Sequence, residues 1–370
     1  MTPMRVVFIQ RSVGPGGSKN SLLQTLRVAS TQNDFQFKVL CGEEGSFVNK
    51  CRELGIEPAI ARIPEWRKWP ERLFFARKMG VIAKQVGDFA PDYVISNERW
   101  WAPHAQFLAK QLGCRSASYV RESAITAAPK ARQYHLHKLD RVLCVSTALK
   151  QELDSAATLP GNSRVVYNPV LPPTIDPSAD AQISLMLEKF PRVKKWLLHI
   201  GLLSECKNQI GTIRTLRALH DAGLQDWGLI LAGDADTDYF PRVEQEIRRA
   251  GLEQHVCVAG QVARLGNLIQ HSEGTLLSSR HEGLPRAVIE SFLLGKMCFS
   301  VPLPGLEEIY GHQQPRFVSA TQDAQSLACL VLKALEKPDE WHAATASVRD
   351  ELELKFSPGN HWSQLMAALG

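Results

Sequence analysis

The feature that most constrains the fold is an alternation of short apolar runs with longer amphipathic segments, which occurs twice along the 370 residues. In the first half, strand-length apolar runs occupy residues 6–9, 37–41, 93–96, 116–120 and 141–145, with helical patterns at 20–30 and 102–112. In the second half, the apolar runs occupy residues 196–200, 228–232, 255–259, 275–277 and 297–301, with helical patterns at 209–222 and 285–294. A repeated β-α-β alternation predicts a parallel sheet with helices on both faces.

A proline-rich stretch separates the two series and is typical of a linker. It contains Pro160, Gly161, Pro169, Pro172, Pro173 and Pro177. At roughly 150 residues per domain, the chain length also suits two domains. We therefore predict an α/β chain with two doubly wound domains in tandem. Ligands of such sheets bind at the carboxyl ends of the strands, and two sheets facing each other would form a cleft.

Composition narrows the class of protein further. The chain is 44% hydrophobic and 22% charged, as in an ordinary globular protein, and its net charge of +5 is too small to indicate nucleic-acid binding. A mildly basic chain suits an anionic substrate or an anionic membrane surface. No apolar run reaches the roughly 20 residues of a spanning helix, and residues 1–10 do not resemble a signal peptide.

The eight cysteines are scattered and form no C-x-x-C pair. Cys41, Cys144 and Cys257 lie in strand-like apolar runs. This pattern favours buried, reduced thiols in a cytoplasmic protein over disulfides or a zinc site.

The most informative segment for chemistry is 279–290, which carries two carboxylates at a loop-to-helix junction. Glu282 lies in the loop and Glu290 on the predicted helix, so eight helical rises place them at most about 12 Å apart. That separation suits the two ends of a nucleotide sugar, because carboxylates accept hydrogen bonds from vicinal hydroxyls. Between them, a helix N-terminus opening at Pro285 favours a phosphate. An ordinary helix with an acidic first turn would give the same spacing.

The same segment resembles the Glu-Gly-Phe/Leu-Pro … Glu signature of retaining glycosyltransferases, in the large family that includes bacterial lipopolysaccharide and capsule sugar transferases. This family is known as glycosyl transferases group 1, or glycosyltransferase family four. Further segments resemble its motifs in the right order: 14–18, 144–150, 166–169, 199–201 with 207–209, 231–234, 259–262, 304–308 and 356–358. The resemblance spans nearly the whole chain and is strongest from Trp196 to Ile309.

The resemblance implies a GT-B fold, in which two Rossmann-like doubly wound domains face a cleft. It implies an acceptor-binding domain over residues 1–170, a nucleotide-sugar-binding domain over 171–345, and a helical segment over 346–370 that crosses back to the first domain. The implied activity is retaining transfer of a hexosyl or related group from a UDP- or GDP-sugar to a glycan or lipid-linked acceptor, in polysaccharide or lipopolysaccharide synthesis.

The resemblance also assigns donor contacts. Glu290 would bind the ribose hydroxyls, Glu282 would hold the transferred sugar, and Lys207 would neutralise the leaving diphosphate. Backbone groups and small residues would complete the donor site: Gly16, Gly17, Gly201, Gly260, Val262, Gly283, Leu284 and Pro285. The implied mechanism is retaining and requires no covalent enzyme intermediate.

Three positions depart from the family pattern. Leu202 stands where an arginine usually follows the strand-end glycine, and Arg280 and Arg286 are candidate substitutes. Arg121, followed by Glu122, stands where many members have a histidine near the sugar, and we regard Arg121 as a candidate catalytic residue that could hold phosphate or an acidic acceptor. Residues 234–236 spell Asp-Ala-Asp, but they lie at a strand end where the family has a loop motif, so no metal or other cofactor is expected.

The acceptor is expected on the first domain. Asn97, Trp100, Trp101, His104 and Glu122 are candidate acceptor contacts, with ring stacking on the tryptophans. The stretch 64–78 mixes aromatic and basic residues, as segments at anionic membrane surfaces do, although a domain helix with snorkelling arginines would look alike. We therefore expect a cytoplasmic enzyme, peripheral on the inner face of the cytoplasmic membrane, with no nucleic-acid partner.

Three other functions compete with this interpretation. A sugar-nucleotide 2-epimerase of the same architecture would carry similar motifs. A nicotinamide-dependent dehydrogenase is supported only by the glycine loop at 14–17, which lacks the third glycine of the dinucleotide motif, and no acidic residue ends the second strand. A sugar-nucleotide-binding protein without catalysis would accommodate Leu202 and Arg121.

Overall fold

The computed structural model describes residues 2–14, 16–122, 130, 132–155, 161–262 and 264–370. The chain divides into two compact units. The first unit comprises Met1–Val170 with Phe356–Gly370, and the second unit comprises Leu171–Lys355. The last 25 residues were predicted to form one helical segment that crosses back to the first domain, but the structure divides them between two helices. A helix ends at Lys355 in the second unit, and Ser357 caps a new helix in the first unit by accepting from the Asn360 backbone N–H.

The first unit contains a seven-stranded parallel sheet in the order β3-β2-β1-β4-β5-β6-β7. Its strands are β1 Met4–Gln10, β2 Phe35–Cys41, β3 Ala59–Ile60, β4 Tyr93–Ser96, β5 Arg115–Val120, β6 Arg141–Cys144 and β7 Ser163–Val165. Its described helices are α1 Gly17–Ala29, α2 Ser46–Glu53, α3 Phe75–Gly87, α4 Ala102–Leu112 and α5 Thr147–Ser155, with a 3₁₀ turn at Glu71–Phe74 before α3. The predicted helix at 20–30 begins three residues earlier, at Gly17.

The second unit contains a five-stranded parallel sheet in the order β10-β9-β8-β11-β12. Its strands are β8 Lys195–Ile200, β9 Trp227–Ala232, β10 Val256–Gly260, β11 Gly274–Leu277 and β12 Met297–Ser300. Its described helices are α6 Asp180–Leu187, α7 Gln209–Asp221, α8 Phe240–Ala250, α9 Leu265–Gln270, α10 Arg286–Leu293, α11 Glu307–Tyr310, α12 Gln314–Phe317, α13 Ala324–Glu336 and α14 Pro338–Lys355. The final helix of the chain, α15 Pro358–Leu369, belongs to the first unit.

Both sheets are doubly wound, and the strand order in each reverses beside its first strand. In the first unit β1 pairs with β2 on one side and β4 on the other, and in the second unit β8 lies between β9 and β11. The carboxyl ends of β1 and β4, and of β8 and β11, are therefore the topological switch points at which such sheets bind ligands.

The central strands form because their residues are apolar on both faces. Every residue of β4 and β9 is buried, as expected for parallel strands covered by helices on both sides. Helix α4 has Pro103 in its first turn and ends at Gly113, whose φ of 68° is the left-handed conformation that glycine favours. Cys41, Cys144 and Cys257 are buried and free, as predicted. Within the described residues, no helix is both long and apolar enough to cross a membrane.

Candidate functional site

The donor residues predicted in the second unit lie where β8 and β11 end. After β8, Gly201 packs against the side chain of Lys207, and a β-carbon on Gly201 would lie 3.2 Å from the Lys207 Cδ. Gly233, at the end of β9, approaches more closely still, because a β-carbon there would lie 2.0 Å from the Gly201 carbonyl oxygen. Only glycine at position 233 allows the two strand-end loops to meet, and this meeting fixes the backbone that carries Lys207.

Lys207 and Glu282 form an ion pair between two loops that are distant in sequence. The Lys207 Nζ donates to the Glu282 Oε1 at 2.7 Å, and the two side chains are 27% and 11% exposed. The Ser279 hydroxyl donates to the same carboxylate oxygen at 2.6 Å. Among the described residues, the second oxygen of Glu282 has no hydrogen-bond partner, so it can accept from a ligand hydroxyl.

Hydrogen bonds to main-chain carbonyls join the two loops that carry this ion pair. The Asn208 amide donates to the Ser278 carbonyl at 3.1 Å, and the Ser278 hydroxyl donates to the Asn208 carbonyl at 2.7 Å. The backbone N–H of Arg280 donates to the Cys206 carbonyl, and the Cys206 thiol donates to the His281 carbonyl at 3.3 Å. These hydrogen bonds therefore hold the loops that carry the Lys207 ammonium and the Glu282 carboxylate in fixed positions.

A second ion pair lies on helix α10. The Arg286 Nη2 donates to the Glu290 Oε1 at 2.9 Å, and the two side chains are only 17% and 14% exposed. The helix begins at Arg286, and Pro285 is an extended residue just before it, so the predicted start at Pro285 is one residue early. A positive charge in the first helical turn is unfavourable beside the helix dipole unless an anion is near.

Other predicted donor residues take varied positions around these pairs. Leu284 and Pro285 are buried, whereas Gly283 is half-buried. Gly260 accepts from the Gly233 backbone N–H at 2.8 Å, and the half-buried Val262 packs on the core of the second unit. Asp234 and Asp236 close a local turn, because the Asp234 Oδ1 accepts from the Asp236 backbone N–H at 3.1 Å.

His199 lies in β8 beneath the site, and its role was not predicted from the sequence. Its side chain is fully buried, and burial together with the nearby Lys207 charge lowers the pKa of His199 to about 3. Its Nδ1 lies 3.3 Å from the Thr212 hydroxyl. Burial therefore favours the neutral imidazole, so that no second positive charge lies beside Lys207.

In the first unit, the predicted glycine loop precedes helix α1. Pro15 lies outside the described residues, and Gly17 is the first helical residue. The Ser18 hydroxyl and the Lys19 Nζ both donate to the Glu98 Oε1, at 2.6 and 3.0 Å. A carboxylate at the end of β4 thus neutralises the cation that follows this loop.

The Arg121 side chain contacts other residues of the first unit. Its Nη2 donates to the Asn97 Oδ1 at 2.7 Å, its Nη1 bonds to the Asn168 side chain, and its guanidinium lies 4.1 Å from the centre of the Tyr119 ring. Arg121 is nevertheless only half-buried, so a ligand can still reach it.

Three of the predicted acceptor contacts are corrected by burial. Asn97 is fully buried and donates to the Gln10 side chain at 2.5 Å. His104 is also fully buried, its Nε2 lies 2.7 Å from the Pro64 carbonyl oxygen, and burial lowers the pKa of His104 to about 4. Trp101 is 8% exposed and packs against Arg11. Because ligands cannot reach such side chains, these residues support the sheet edge instead.

The two remaining acceptor candidates surround a buried arginine that the sequence did not single out. Arg99 is 1% exposed, its guanidinium lies 4.0 Å from the centre of the Trp100 ring, and its Nε lies 3.0 Å from the Glu122 Oε2. Trp100 also meets the ring of Tyr134 edge-on at 5.3 Å. Trp100 and Glu122 are half-buried and remain accessible.

The predicted membrane segment, 64–78, is exposed along much of its length. Trp69 is 80% exposed, Leu73 is 70% exposed and Phe74 is 50% exposed. Arg62, just before the segment, is also exposed. Large apolar side chains beside basic ones are therefore presented to solvent on one stretch of the first unit.

The fold and this site define a class of protein. Residues 188–350 match the model of the family described as Glycosyl transferases group 1. The sequence of the second unit thus resembles that of the glycosyl transferases group 1 family, as its motifs predicted. The predicted GT-B fold is likewise confirmed by comparison with solved structures.

One curated protein and two solved structures illustrate what the chain is similar to. The capsular polysaccharide biosynthesis glycosyltransferase CapH of Staphylococcus aureus is 24% identical over 299 residues, which cover 78% of each chain. The crystal structure of Anabaena HepE with UDP-glucose is 18% identical, covers 99% of both chains and has a TM-score of 0.83. The lipopolysaccharide outer core galactosyltransferase WaaB is 17% identical, covers 99% of both chains and has a TM-score of 0.69.

Proposed function

We propose that the chain is a retaining glycosyltransferase that moves a sugar from a UDP- or GDP-sugar to a glycan or lipid-linked acceptor in cell-surface polysaccharide or lipopolysaccharide synthesis. The observation that carries the proposal is the Lys207–Glu282 ion pair at the switch point of the second sheet. A cation and a carboxylate held together there can serve the phosphate and the hydroxyls of one donor molecule. The similarity to CapH, a capsular polysaccharide biosynthesis glycosyltransferase, and to WaaB, a lipopolysaccharide outer core galactosyltransferase, supports a role in polysaccharide or lipopolysaccharide synthesis.

Each residue has a distinct role in this proposal. The free oxygen of Glu282 accepts from hydroxyls of the transferred sugar, and Glu290 accepts from the ribose hydroxyls. Lys207 neutralises the diphosphate, whose negative charge grows as it leaves. The HepE complex with UDP-glucose, in the same fold, supports a nucleotide-sugar donor.

Position 202, where the family usually has an arginine, is a leucine here, and Arg286 supplies the positive charge instead. In the free protein its charge lies at the start of helix α10, where the helix dipole disfavours it, and Glu290 balances it. A bound diphosphate would give the guanidinium a second anionic partner and would leave Glu290 free to turn toward the ribose. Arg280, which is 58% exposed and lies 3.8 Å from Glu205, is the weaker substitute.

The proposed reaction proceeds on one face of the sugar. The bond between the anomeric carbon and the diphosphate oxygen breaks, and the acceptor hydroxyl oxygen forms the new bond on the same face. The hydroxyl proton passes to the departing phosphate oxygen, so the step needs no separate base. The protein supplies position and charge stabilisation, chiefly from Lys207, Arg286 and the backbone donors before α10.

The exposed aromatic and basic side chains of 64–78 support a peripheral position on the inner face of the cytoplasmic membrane. Trp69, Leu73 and Phe74 would enter the headgroup region, and the neighbouring basic residues would contact anionic lipid. Such a position would bring the first unit to lipid-linked acceptors.

The test is thermal stabilisation of the full chain by a panel of UDP- and GDP-sugars. A donor at about 100 times its dissociation constant adds about 2.7 kcal/mol of stability, which is readily seen as a rise in Tm. Glu290→Ala should abolish the rise, whereas Arg217→Ala, which breaks an exposed ion pair on α7, should leave it intact. An equal rise in wild type and Glu290→Ala would refute the donor site.

Product analysis then decides the chemistry. The donor that stabilises the chain is incubated with and without a membrane extract, and the anomeric configuration of any product is read by NMR. A transferred sugar with the donor's configuration supports the proposal. An epimerised donor without transfer would make the chain a 2-epimerase, and a bound but unchanged donor would make it a non-catalytic binding protein.

A further inference from the structure

The first unit contains a pocket that none of the donor residues touches. Its volume is about 860 Å³. It lies between the chain before α3, the outer face of α4 and the chain after β5. The lining residues are Trp66, Arg67, Arg72, Phe75, Pro103, Gln106, Phe107, Lys110, Gln133, His135 and Lys138.

The charge of this pocket is of one sign. Arg67, Arg72, Lys110 and Lys138 line it, and none of its other described lining residues is acidic. Within the part of the chain that the structure describes, none of these four side chains has a carboxylate within 4.0 Å. Four unneutralised cations around one concavity attract an anion from solution.

The two acidic residues closest in sequence to Arg67 and Arg72 have other partners. Glu65 pairs with Arg11 at 2.8 Å, and Glu71 accepts from the Glu65 backbone N–H at 2.6 Å. Glu71 also lies 3.6 Å from the Lys78 Nζ. These contacts turn both carboxylates away from the pocket's cations, so the positive charge stays uncompensated.

Aromatic rings form one wall of the pocket and are held in place. The Trp66 Nε1 donates to the Trp100 carbonyl at 3.2 Å, and the Arg67 guanidinium lies 5.3 Å from the centre of the Trp66 ring. Phe75 and Phe107 meet edge-on at 5.5 Å. A fixed aromatic wall beside arginines suits a ligand with a phosphate next to a sugar ring or a hydrocarbon chain.

Three exposed apolar side chains lie close in sequence to residues that line the pocket. Trp69, Leu73 and Phe74 lie within a few residues of the pocket-lining Arg72 and Phe75, and each is at least half exposed. A ligand whose phosphate occupies the pocket could therefore lay an apolar chain across these three side chains.

We infer that this pocket binds the phosphate of a phosphorylated acceptor. The phosphate could belong to a lipid-linked acceptor or to a water-soluble sugar phosphate. The inference rests on the proposed function, because only a transferase needs an acceptor, and it narrows that function by requiring a phosphate on the acceptor. Arginine forks favour phosphate, with two parallel N–H···O bonds, over an uncharged glycan.

The test measures binding of small probes to the full chain by calorimetry. The probes are farnesyl phosphate below its micelle concentration, glucose 1-phosphate and uncharged octyl glucoside. We expect farnesyl phosphate to bind and octyl glucoside to bind at least about tenfold more weakly. Glucose 1-phosphate binding as tightly as farnesyl phosphate identifies a water-soluble acceptor, whereas much weaker binding identifies a lipid-linked one.

Matched variants decide whether the pocket is responsible. Lys110→Glu with Lys138→Glu should weaken farnesyl phosphate binding at least about tenfold. Lys50→Glu with Lys84→Glu makes the same charge change at exposed positions of α2 and α3 outside the pocket and should leave binding unchanged. If the reversed pair does not fold, Lys110→Gln with Lys138→Gln is the substitute.

Two results overturn the inference: no binding of either phosphate probe, or equal binding by the pocket pair and the control pair. Donor stabilisation by a nucleotide sugar, measured on the same samples, separates the two proposals. Donor binding without phosphate binding removes only the pocket assignment. Phosphate binding by a chain that neither binds nor uses any nucleotide sugar removes the proposed function and, with it, the acceptor role of the pocket.

Discussion

Replacing Lys207 by alanine tests whether the ion pair at the second switch point serves the reaction or only holds two loops together. In the free protein the substitution removes a 2.7 Å charge-assisted hydrogen bond and leaves Glu282 with the Ser279 hydroxyl as its described partner. Because Lys207 is about a quarter exposed, we expect a loss of about 1–2 kcal/mol, which lowers Tm by a few degrees.

The expected loss of activity is larger than the loss of stability. Removing one group that stabilises developing negative charge costs about 3 kcal/mol in the transition state, which is about a hundredfold in kcat. The assay is sugar transfer, or slow donor hydrolysis where the acceptor is unknown. Arg280→Ala removes a cation from the same loop pair, where it is more exposed, and should change kcat by less than about threefold.

A double variant separates the two roles of Lys207. Lys207→Ala with Glu282→Gln removes the unpaired charge as well as its partner, so stability should return toward that of wild type. Activity should stay low, because the diphosphate still lacks its cation. Full activity of Lys207→Ala, or recovery of both activity and stability in the double variant, would refute a role for Lys207 in the reaction.

Two further predictions concern the fold around these sites. Gly233→Ala would place its β-carbon 2.0 Å from the Gly201 carbonyl oxygen, so we expect the free energy of unfolding, measured with denaturant, to fall by about 3 kcal/mol and donor stabilisation to be lost. Gly80→Ala, in open space on α3, should leave both quantities unchanged. A Gly233→Ala chain as stable as wild type would contradict the close approach. Burial lowers the pKa of His361 to about 4, so the unfolded chain takes up a proton that the folded chain refuses, and stability declines by up to about 1.4 kcal/mol per pH unit as pH falls from about 6.5 toward 4. His361→Gln, which can keep a hydrogen bond to the Tyr167 carbonyl, should lessen that decline in unfolding measured against pH without abolishing it, because the buried His104 and His199 titrate in the same sense; an unchanged slope would show that His361 does not contribute.

Much of the fold followed from the sequence because the central strands are apolar on both faces. The predicted bounds of β4 and α4 agree with the structure to the residue. The predicted start of helix α1 was too late because Gly17 and Ser18 are residue types that favour loops. The helical conformation of residues 17–19 depends on Glu98, 79 residues away from Lys19, which binds Ser18 and Lys19. The helix propensity of residues 17–19 contains no information about such a distant partner.

The candidate site was only partly readable from the sequence. Lys207 and Glu282 were both selected, but as separate ligands of one donor, and their direct contact could not be seen because 75 residues separate them. The Arg286–Glu290 pair was within reach, since its spacing of four residues on a helix brings side chains together. It was missed because Glu290 was considered only as a ribose ligand.

The acceptor side was the least predictable. Asn97 and His104 are polar residues near the end of a strand, where a ligand would bind, yet the structure buries both. Their hydrogen-bond partners, Gln10 and the Pro64 carbonyl, are distant in sequence, so no local pattern indicated that both side chains bond within the protein. Arg99 was overlooked for the converse reason, because a lone arginine after a strand usually lies at the surface.

A crystal structure of the chain with UDP and, separately, with GDP would test the donor site most directly. We expect one of the two nucleotides to bind with its diphosphate on Lys207 and its ribose hydroxyls on Glu290. A nucleotide bound elsewhere, with the Lys207–Glu282 and Arg286–Glu290 pairs untouched, would contradict it.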